Sequence, residues 1–271
     1  MQTEMDAERI RELGLAPDRV FVSGNVKFDA GEDTNQKALT SILRERFQFD
    51  DERPLIVAAS THPPEEKILL EAFKQIRSTR GKVRLLLAPR HPERFGEISQ
   101  LLESCGFSWS KRSADSSASD SASDIILLDS IGELRAIYPL AKLVFMGGSL
   151  APTGGHNILE PAAARVCTVT GAHTFNFKAI VEDFLQSDAL VQLPIVSERD
   201  APSALSKVLV RLLADEDRRR VIAENARAVL EKNRGATALT IKLLAQLLTS
   251  ASNQSEDREA EGARADFRAE A

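Results

Sequence analysis

The segment LVFMGGSLAPTGGHNILEPAA, Leu143 to Ala163, decides the fold. Leu143 to Met146 is wholly apolar, the pattern of a short strand buried on both faces. Gly147, Gly148, Gly154 and Gly155, with Pro152 between them, then strip side chains from the backbone. A helical pattern begins at Asn157 and runs to Ala164. Strand, glycine-rich loop and helix in that order form the repeating unit of a parallel α/β sheet.

The alternation extends in both directions. Upstream, apolar strand runs are predicted at Pro54 to Ala59, Val83 to Ala88 and Ile125 to Leu128. Helices are predicted at Glu65 to Arg80, Glu93 to Cys105 and Gly132 to Tyr138. Downstream come strands at Val166 to Thr170 and Ala189 to Leu193, and helices at Lys178 to Gln186, Asp200 to Leu213, Glu216 to Lys232 and Ala236 to Leu248. The chain opens with a short helix at Asp6 to Leu13, a strand pattern at Arg19 to Ser23 and a helix at Thr34 to Phe47. Right-handed crossovers between such strands give a doubly wound, Rossmann-like parallel sheet. Ser113 to Asp124, almost all Ser, Ala and Asp, reads as a flexible surface loop. The polar stretch Thr249 to Ala271 reads as a disordered tail.

Composition narrows the function. The 271 residues carry 35 basic and 40 acidic side chains, a formal net charge of −5, which disfavours general nucleic-acid binding. Cys105 and Cys167 are too few for a disulfide framework or a four-thiolate zinc site, and they fit a reducing compartment. No apolar run reaches the ~18 residues of a membrane span, and the opening residues lack a signal-peptide pattern. The expectation is a slightly acidic, soluble, cytoplasmic protein.

In a sheet of this class the ligand lies beyond the carboxyl ends of the strands, so the loops after strands carry the chemistry. The glycine-rich loop from Gly147 to Asn157 opens backbone N–H groups toward a helix start, an arrangement suited to an anion. Asn157 caps that helix, and Glu160, one turn in, has the chemistry to accept hydrogen bonds from a ribose diol. The same residues also read as an ordinary turn with an N-cap and a first-turn acid. After the first buried strand, Ser60, Thr61 and His62 face the crevice, or simply cap a helix. After the second, Pro89-Arg90-His91 offers a guanidinium fork to a phosphate or base edge, or is a solvated turn. Asp129-Ser130-Ile131-Gly132-Glu133 is a weaker loop, and Lys27 a single lysine in a turn. Three of the four histidines, His62, His91 and His156, fall in these loops, without zinc-site spacing.

Read together and in order, Gly24-Asn25-Val26-Lys27-Phe28-Asp29, Ser60-Thr61-His62, Pro89 to Arg94, Ile131-Gly132-Glu133-Leu134, Gly147-Gly148-Ser149 and Gly154 to Ala162, followed by Gly171 to Phe177, resemble the C-terminal half of 3-deoxy-D-manno-octulosonic acid (Kdo) transferases. These are inverting glycosyltransferases of the two-domain GT-B architecture. The resemblance implies a CMP-Kdo donor site at Pro89, Arg90, Ile131, Gly132, Glu133, Asn157, Ile158, Leu159 and Glu160. It implies further donor contacts at Ser60, Thr61, His62, His91, Gly148, Ser149, Gly154, Gly155 and His156. Lys27 matches the lysine that stabilises charge on departing CMP. No metal or other cofactor is implied.

One departure is local: the family's glycine before the glutamate pair is Pro64 here. The other concerns extent. The family's N-terminal half holds the lipid A precursor, the catalytic base and the membrane anchor, and no residue here is assigned as base. The expected division is a remnant and linker over 1–50, a donor-binding domain over 51–248 and the tail over 249–271. The implied whole reaction belongs to the cytoplasmic face of the inner membrane, in lipopolysaccharide biosynthesis. Self-association is expected through the exposed cleft or the helix at Ala236 to Leu248. The alternatives are a non-catalytic nucleotide-binding or partner module, and another GT-B enzyme using a UDP-sugar.

Overall fold

The computed structural model describes residues 1–29 and 34–248; the expected tail over 249–271 lies outside them. Contacts divide the chain into two units. The larger comprises described residues 34–232, the smaller residues 1–29 and 233–248. This division differs from a boundary at residue 50: α2 (Thr34–Phe47) groups with the sheet, and the helix over 236–248 groups with the first residues.

Seven parallel strands form the sheet among the described residues. They are β1 (Leu55–Thr61), β2 (Arg84–Pro89), β3 (Trp109–Lys111), β4 (Ile125–Leu127), β5 (Leu143–Met146), β6 (Thr168–Thr170) and β7 (Val191–Gln192), in the order β3-β4-β2-β1-β5-β6-β7. Between them run α3 (Glu65–Arg80), α4 (Phe95–Glu103), α5 (Leu134–Ile137), α6 (Leu159–Ala163) and α7 (Lys178–Gln186), and α8 (Ala201–Ala214) and α9 (Glu216–Lys232) follow. The main core lies on one face of the central strands: Ile56, Leu85, Leu87, Phe145 and Val169 cluster with Leu69, Phe73 and Ile76 of α3 and Leu205 and Leu209 of α8. Each such side chain contributes about 1.5–3 kcal/mol on full burial. The chain leaves β1 toward β2 on one side, and β5 leads to β6 on the other, so the topological switch lies between β1 and β5. That crevice is where this fold class places ligands.

Two expectations change. β3, at the sheet edge and only half-buried, lacks an apolar run and was not anticipated. The Ser/Ala/Asp segment is anchored rather than loose. Arg84, 1% exposed, donates to the carbonyls of Ser123, Asp120 and Phe47 at 2.9, 3.0 and 2.5 Å. Arg46 pairs with Asp120 at 2.7 Å and also binds the carbonyls of Lys111, Arg112 and Ala114. A buried guanidinium needs acceptors on every edge, and this loop supplies carbonyls.

In the smaller unit, α1 (Glu4–Glu12) is capped by Thr3, whose hydroxyl accepts from Asp6 N–H at 3.1 Å. The strand expected at Arg19 to Ser23 has no ladder partner; Pro17–Arg19 is a 3-10 turn and the next residues are irregular. The motif Gly24 to Asp29 docks on the helix over 236–248, here α10. The Asp29 carboxylate accepts from Gly235 and Thr237 N–H at 2.6 and 2.5 Å. These bonds hold its carboxyl below the usual value. Gly24, with φ +86°, lies so close to Ala236 that an added Cβ would stand 3.2 Å from that residue's Cβ.

Candidate functional site

The loops after β1, β2 and β5 meet at the switch point. Near the end of β1, Ser60 takes φ +53° and breaks the ladder register between Ala59 and Thr61, and the Pro63–Pro64 bond that follows is cis. Gly147 is required where β5 ends: a Cβ there would sit 2.5 Å from the Ser60 carbonyl oxygen.

Three amides of the glycine-rich loop are already occupied from within. Glu65, 0% exposed, accepts from the N–H groups of Gly148, Ser149 and Leu150 at 2.7, 2.9 and 2.9 Å, and from His62 N–H at 3.0 Å. Burial raises its pKa above the ordinary carboxylate value, and the four amides oppose that rise. Leaving a carboxylate buried without donors is costly, and here the loop provides them. The amides of Gly148 and Ser149 are therefore committed to Glu65 and are not open to a ligand phosphate. The Ser149 side chain is structural as well: its hydroxyl donates to Met146 O at 2.5 Å and accepts from Gly171 N–H at 2.7 Å.

A second internal pair locks the neighbouring turn. Thr61, fully buried, donates to Glu66 Oε1 at 2.8 Å, and Arg94 clamps Glu66 at 2.6 and 3.1 Å. Thr61 therefore does not face the crevice. Gly154, at φ +99°, and Gly155 pack beneath the 173–176 turn, where a Cβ on Gly154 would strike the Asn176 amide at 2.3 Å. Asn176 in turn donates to Thr153 O.

Three of the sequence-predicted residues do converge. The His62 and His156 rings are nearly parallel and meet edge to edge, with centroids 5.0 Å apart and Nε2 atoms 2.7 Å from each other. His91 meets His62 edge-on at 5.1 Å. Burial lowers the pKa of both paired rings, that of His156 to about 4. The spacing is a hydrogen bond. Two nitrogens on one tetrahedral zinc, at about 2.0–2.1 Å each, would stand roughly 3.3 Å apart. Among the described residues, no group of three or more His, Cys, Asp or Glu side chains is placed to hold a metal ion.

Arg90 stands just past β2, after buried Pro89. Its N–H donates to Thr61 O at 3.1 Å, its guanidinium is exposed, and that guanidinium has no partner among the described residues. Ile131, 79% exposed, projects from the loop after β4, where Gly132 takes φ +84°. Glu133 is held by Ser130 at 2.7 Å and Arg112 at 2.8 Å. Asn157 Oδ1 accepts from Leu159 N–H at 3.1 Å, and Ile158 and Leu159 are buried. Glu160 Oε1 takes a hydrogen bond from Arg135 Nε at 3.1 Å, which ties the start of α6 to α5. Lys27 is exposed in the smaller unit, in a 3-10 turn fixed by the bond from its N–H to Asn25 Oδ1 at 3.0 Å.

Sequence reasoning missed Glu65, Glu66, Arg94 and Arg135. Glu65 and Glu66 read only as first-turn acids of α3. The available signal was the glycine loop itself, whose amides require an acceptor.

No family model matches the sequence. The 3-deoxy-D-manno-octulosonic acid transferase of Haemophilus influenzae is 33% identical over 243 residues, 90% of this chain and 55% of the relative. The enzyme of the same name from Bordetella pertussis is 33% identical over 246 residues, again 90% and 55%. The chain thus spans about half the length of these curated relatives. Among solved structures, the C-terminal CMP-Kdo binding domain of WaaA from Acinetobacter baumannii superposes with a TM-score of 0.65 at 33% identity, covering 73% of this chain and 99% of that domain. The seven-stranded parallel sheet and the near-complete coverage of that domain agree. The chain belongs to the Kdo transferase family and corresponds to its C-terminal, GT-B-type α/β domain.

Proposed function

We propose that the chain binds CMP-Kdo as the donor-binding part of a Kdo transferase. The observation that carries this is its 33% identity over nearly the whole of a CMP-Kdo binding domain. The geometry supports it with an unpartnered Arg90 beside the switch-point crevice and an exposed Ile131 nearby in the sheet order. In this reading Arg90 forks onto the nucleotide phosphate or base edge, and Ile131 covers the base. The Glu160 oxygen that Arg135 leaves open takes the ribose hydroxyls. No metal takes part.

The whole reaction then moves Kdo to a 6-hydroxyl of a lipid A precursor. The acceptor oxygen attacks the anomeric carbon from the face opposite CMP, the bond to the phosphate oxygen breaks, and a base takes the acceptor proton. Lys27 supplies the cation that stabilises negative charge on departing CMP. No base is assigned among these 271 residues, so the chain alone is expected to bind donor and to transfer little or none. A lipid acceptor places the reaction at a membrane surface. None of the described helices is long and apolar enough to cross one. Self-association through α10, where Leu244 and Leu247 are exposed, belongs to the same proposal and is checked by sedimentation.

Calorimetry of the purified chain tests the donor site. CMP is expected to bind more tightly than UDP, and Arg90→Ala and Glu160→Ala each to weaken CMP, the former by about 10- to 100-fold. Preference for UDP overturns the donor assignment. Turnover of a lipid acceptor by the purified chain overturns the division of labour.

A further inference from the structure

The paired histidines have a use that structural packing does not explain. When two neutral imidazoles share an Nε2–H···Nε2 bond, the donor ring has a bare Nδ1 and the acceptor ring carries its proton on Nδ1. Among the described residues neither ring makes another hydrogen bond, and neither Nδ1 is a buried unpartnered atom, so both outer edges reach water. The pair lies between the loops after β1 and β5, at the switch point.

We infer that the His62–His156 pair is a one-proton receptor for an oxyanion of the bound donor, neutral when empty and singly charged when the anion is present. This rests on the donor-binding reading above. One proton from solvent goes to the bare Nδ1. The Nε2–H···Nε2 bond survives, and both outer edges become N–H donors. A second proton would put hydrogens on both Nε2 atoms, only 2.7 Å apart, and would break the pair. The limit is therefore one proton.

The surrounding charges favour an empty pair that is neutral and a bound pair that is not. The β2 loop brings Arg90, Arg94 and His91, and the first turn of α3 brings Glu66. Arg90, Arg94 and His91 oppose protonation of His62, and Glu66, itself clamped by Arg94, favours it. Glu65 is saturated by four amides and has no acceptor position left for a ring N–H. Burial keeps both rings neutral until an anion is added to this balance. A nucleotide sugar acid has two oxyanions, its phosphodiester and its carboxylate. Either has the chemistry that one Nδ1–H donor and a positive charge recognise; the two Nδ1 edges face away from each other, so one of them meets the anion.

The test is calorimetry in buffers of different ionisation enthalpy, from about pH 6 to 8, where neither oxyanion titrates. The probes are the methyl phosphodiester of CMP, which lacks a carboxylate, and CMP-Kdo, which has both groups. The expected result is uptake of up to one proton, with affinity rising as pH falls, by at most about tenfold per pH unit. Uptake with both probes assigns the phosphodiester, and uptake with CMP-Kdo alone assigns the carboxylate. His62→Gln and His156→Gln are expected to flatten the pH slope, and His173→Gln, whose ring is not a member of the pair, to keep it. Histidine NMR of the unmutated chain gives a second readout if a variant does not fold. Binding of both probes without proton uptake overturns the inference and leaves the donor site standing. Uptake of more than one proton, or a slope retained in His156→Gln, also overturns it. If neither probe binds, the donor-binding reading fails, and this inference with it.

Discussion

Arg84 and Arg90 stand at opposite ends of β2 and meet opposite fates. Arg84, at the amino end, is buried, and three carbonyls from α2's end and the 113–124 segment close around it. Burial pushes its pKa down to about 10. Arg90, past the carboxyl end, is exposed with no partner for its guanidinium. The same side chain serves cohesion at one end of the strand and stays available for a ligand at the other. In this fold the amino edge of the sheet is where internal partners close off charge. The carboxyl edge is where some charge remains open.

Exchanging the two fates gives the largest effect. Arg84→Ala leaves three buried carbonyls unmatched and is expected to destabilise the larger unit by about 3–5 kcal/mol in urea titration. Arg84→Lys should recover only part of this, because an ammonium cannot span three acceptors in the plane of a guanidinium. If Arg84→Ala melts like the parent, the buried end is not what holds the segment. Glu65 extends the contrast to the carboxyl edge, since it is a buried acid saturated by internal partners as Arg84 is. Glu65→Ala should cost about 2–4 kcal/mol, and Glu65→Gln less, because an amide oxygen still accepts from the loop. Equal losses for the two variants would show that the charge, not the acceptor geometry, organises Gly148 to Leu150. Arg90→Ala should show the converse profile. Stability stays within about 0.5 kcal/mol, and CMP affinity falls about 10- to 100-fold.

The smallest effect belongs to an intermediate case, the exposed but paired Arg218. Its bidentate bond holds the Asp188 carboxyl below its usual pKa. With side chains 39% and 54% exposed, the pair should contribute no more than about 1 kcal/mol. Because the folded-state pKa is lowered, that contribution is present above the ordinary carboxylate pKa. It disappears as pH falls through the lowered one. The difference between the parent and Asp188→Asn should therefore be seen at neutral pH and vanish in acid.

These contrasts also mark what the sequence made legible. Leu55 to Ala59, Leu85 to Ala88 and Leu143 to Met146 are continuous apolar runs, and each is a central strand because burial on both faces leaves no polar alternative. Trp109 to Lys111 was not legible, because an edge strand of three half-buried residues needs no apolar run. At the site, the loops were found because they follow strands, and the histidines because three of the four fall there. The role of Glu65 was hidden: its partners lie far along the chain, and its local context is that of any helix start. The same distance concealed the pairing of Arg84 with the serine-rich segment.

That segment has a practical consequence. Ser113 to Asp124 has the composition that endoproteases and sequence-masking filters treat as unstructured chain. Its carbonyls are nevertheless held by Arg46, Arg53 and Arg84 from three separate stretches of sequence. Scission there would require the local lock to open first. Limited proteolysis is therefore expected to cut within residues 120–124 slowly while the sheet's amino edge is closed and rapidly once it is not.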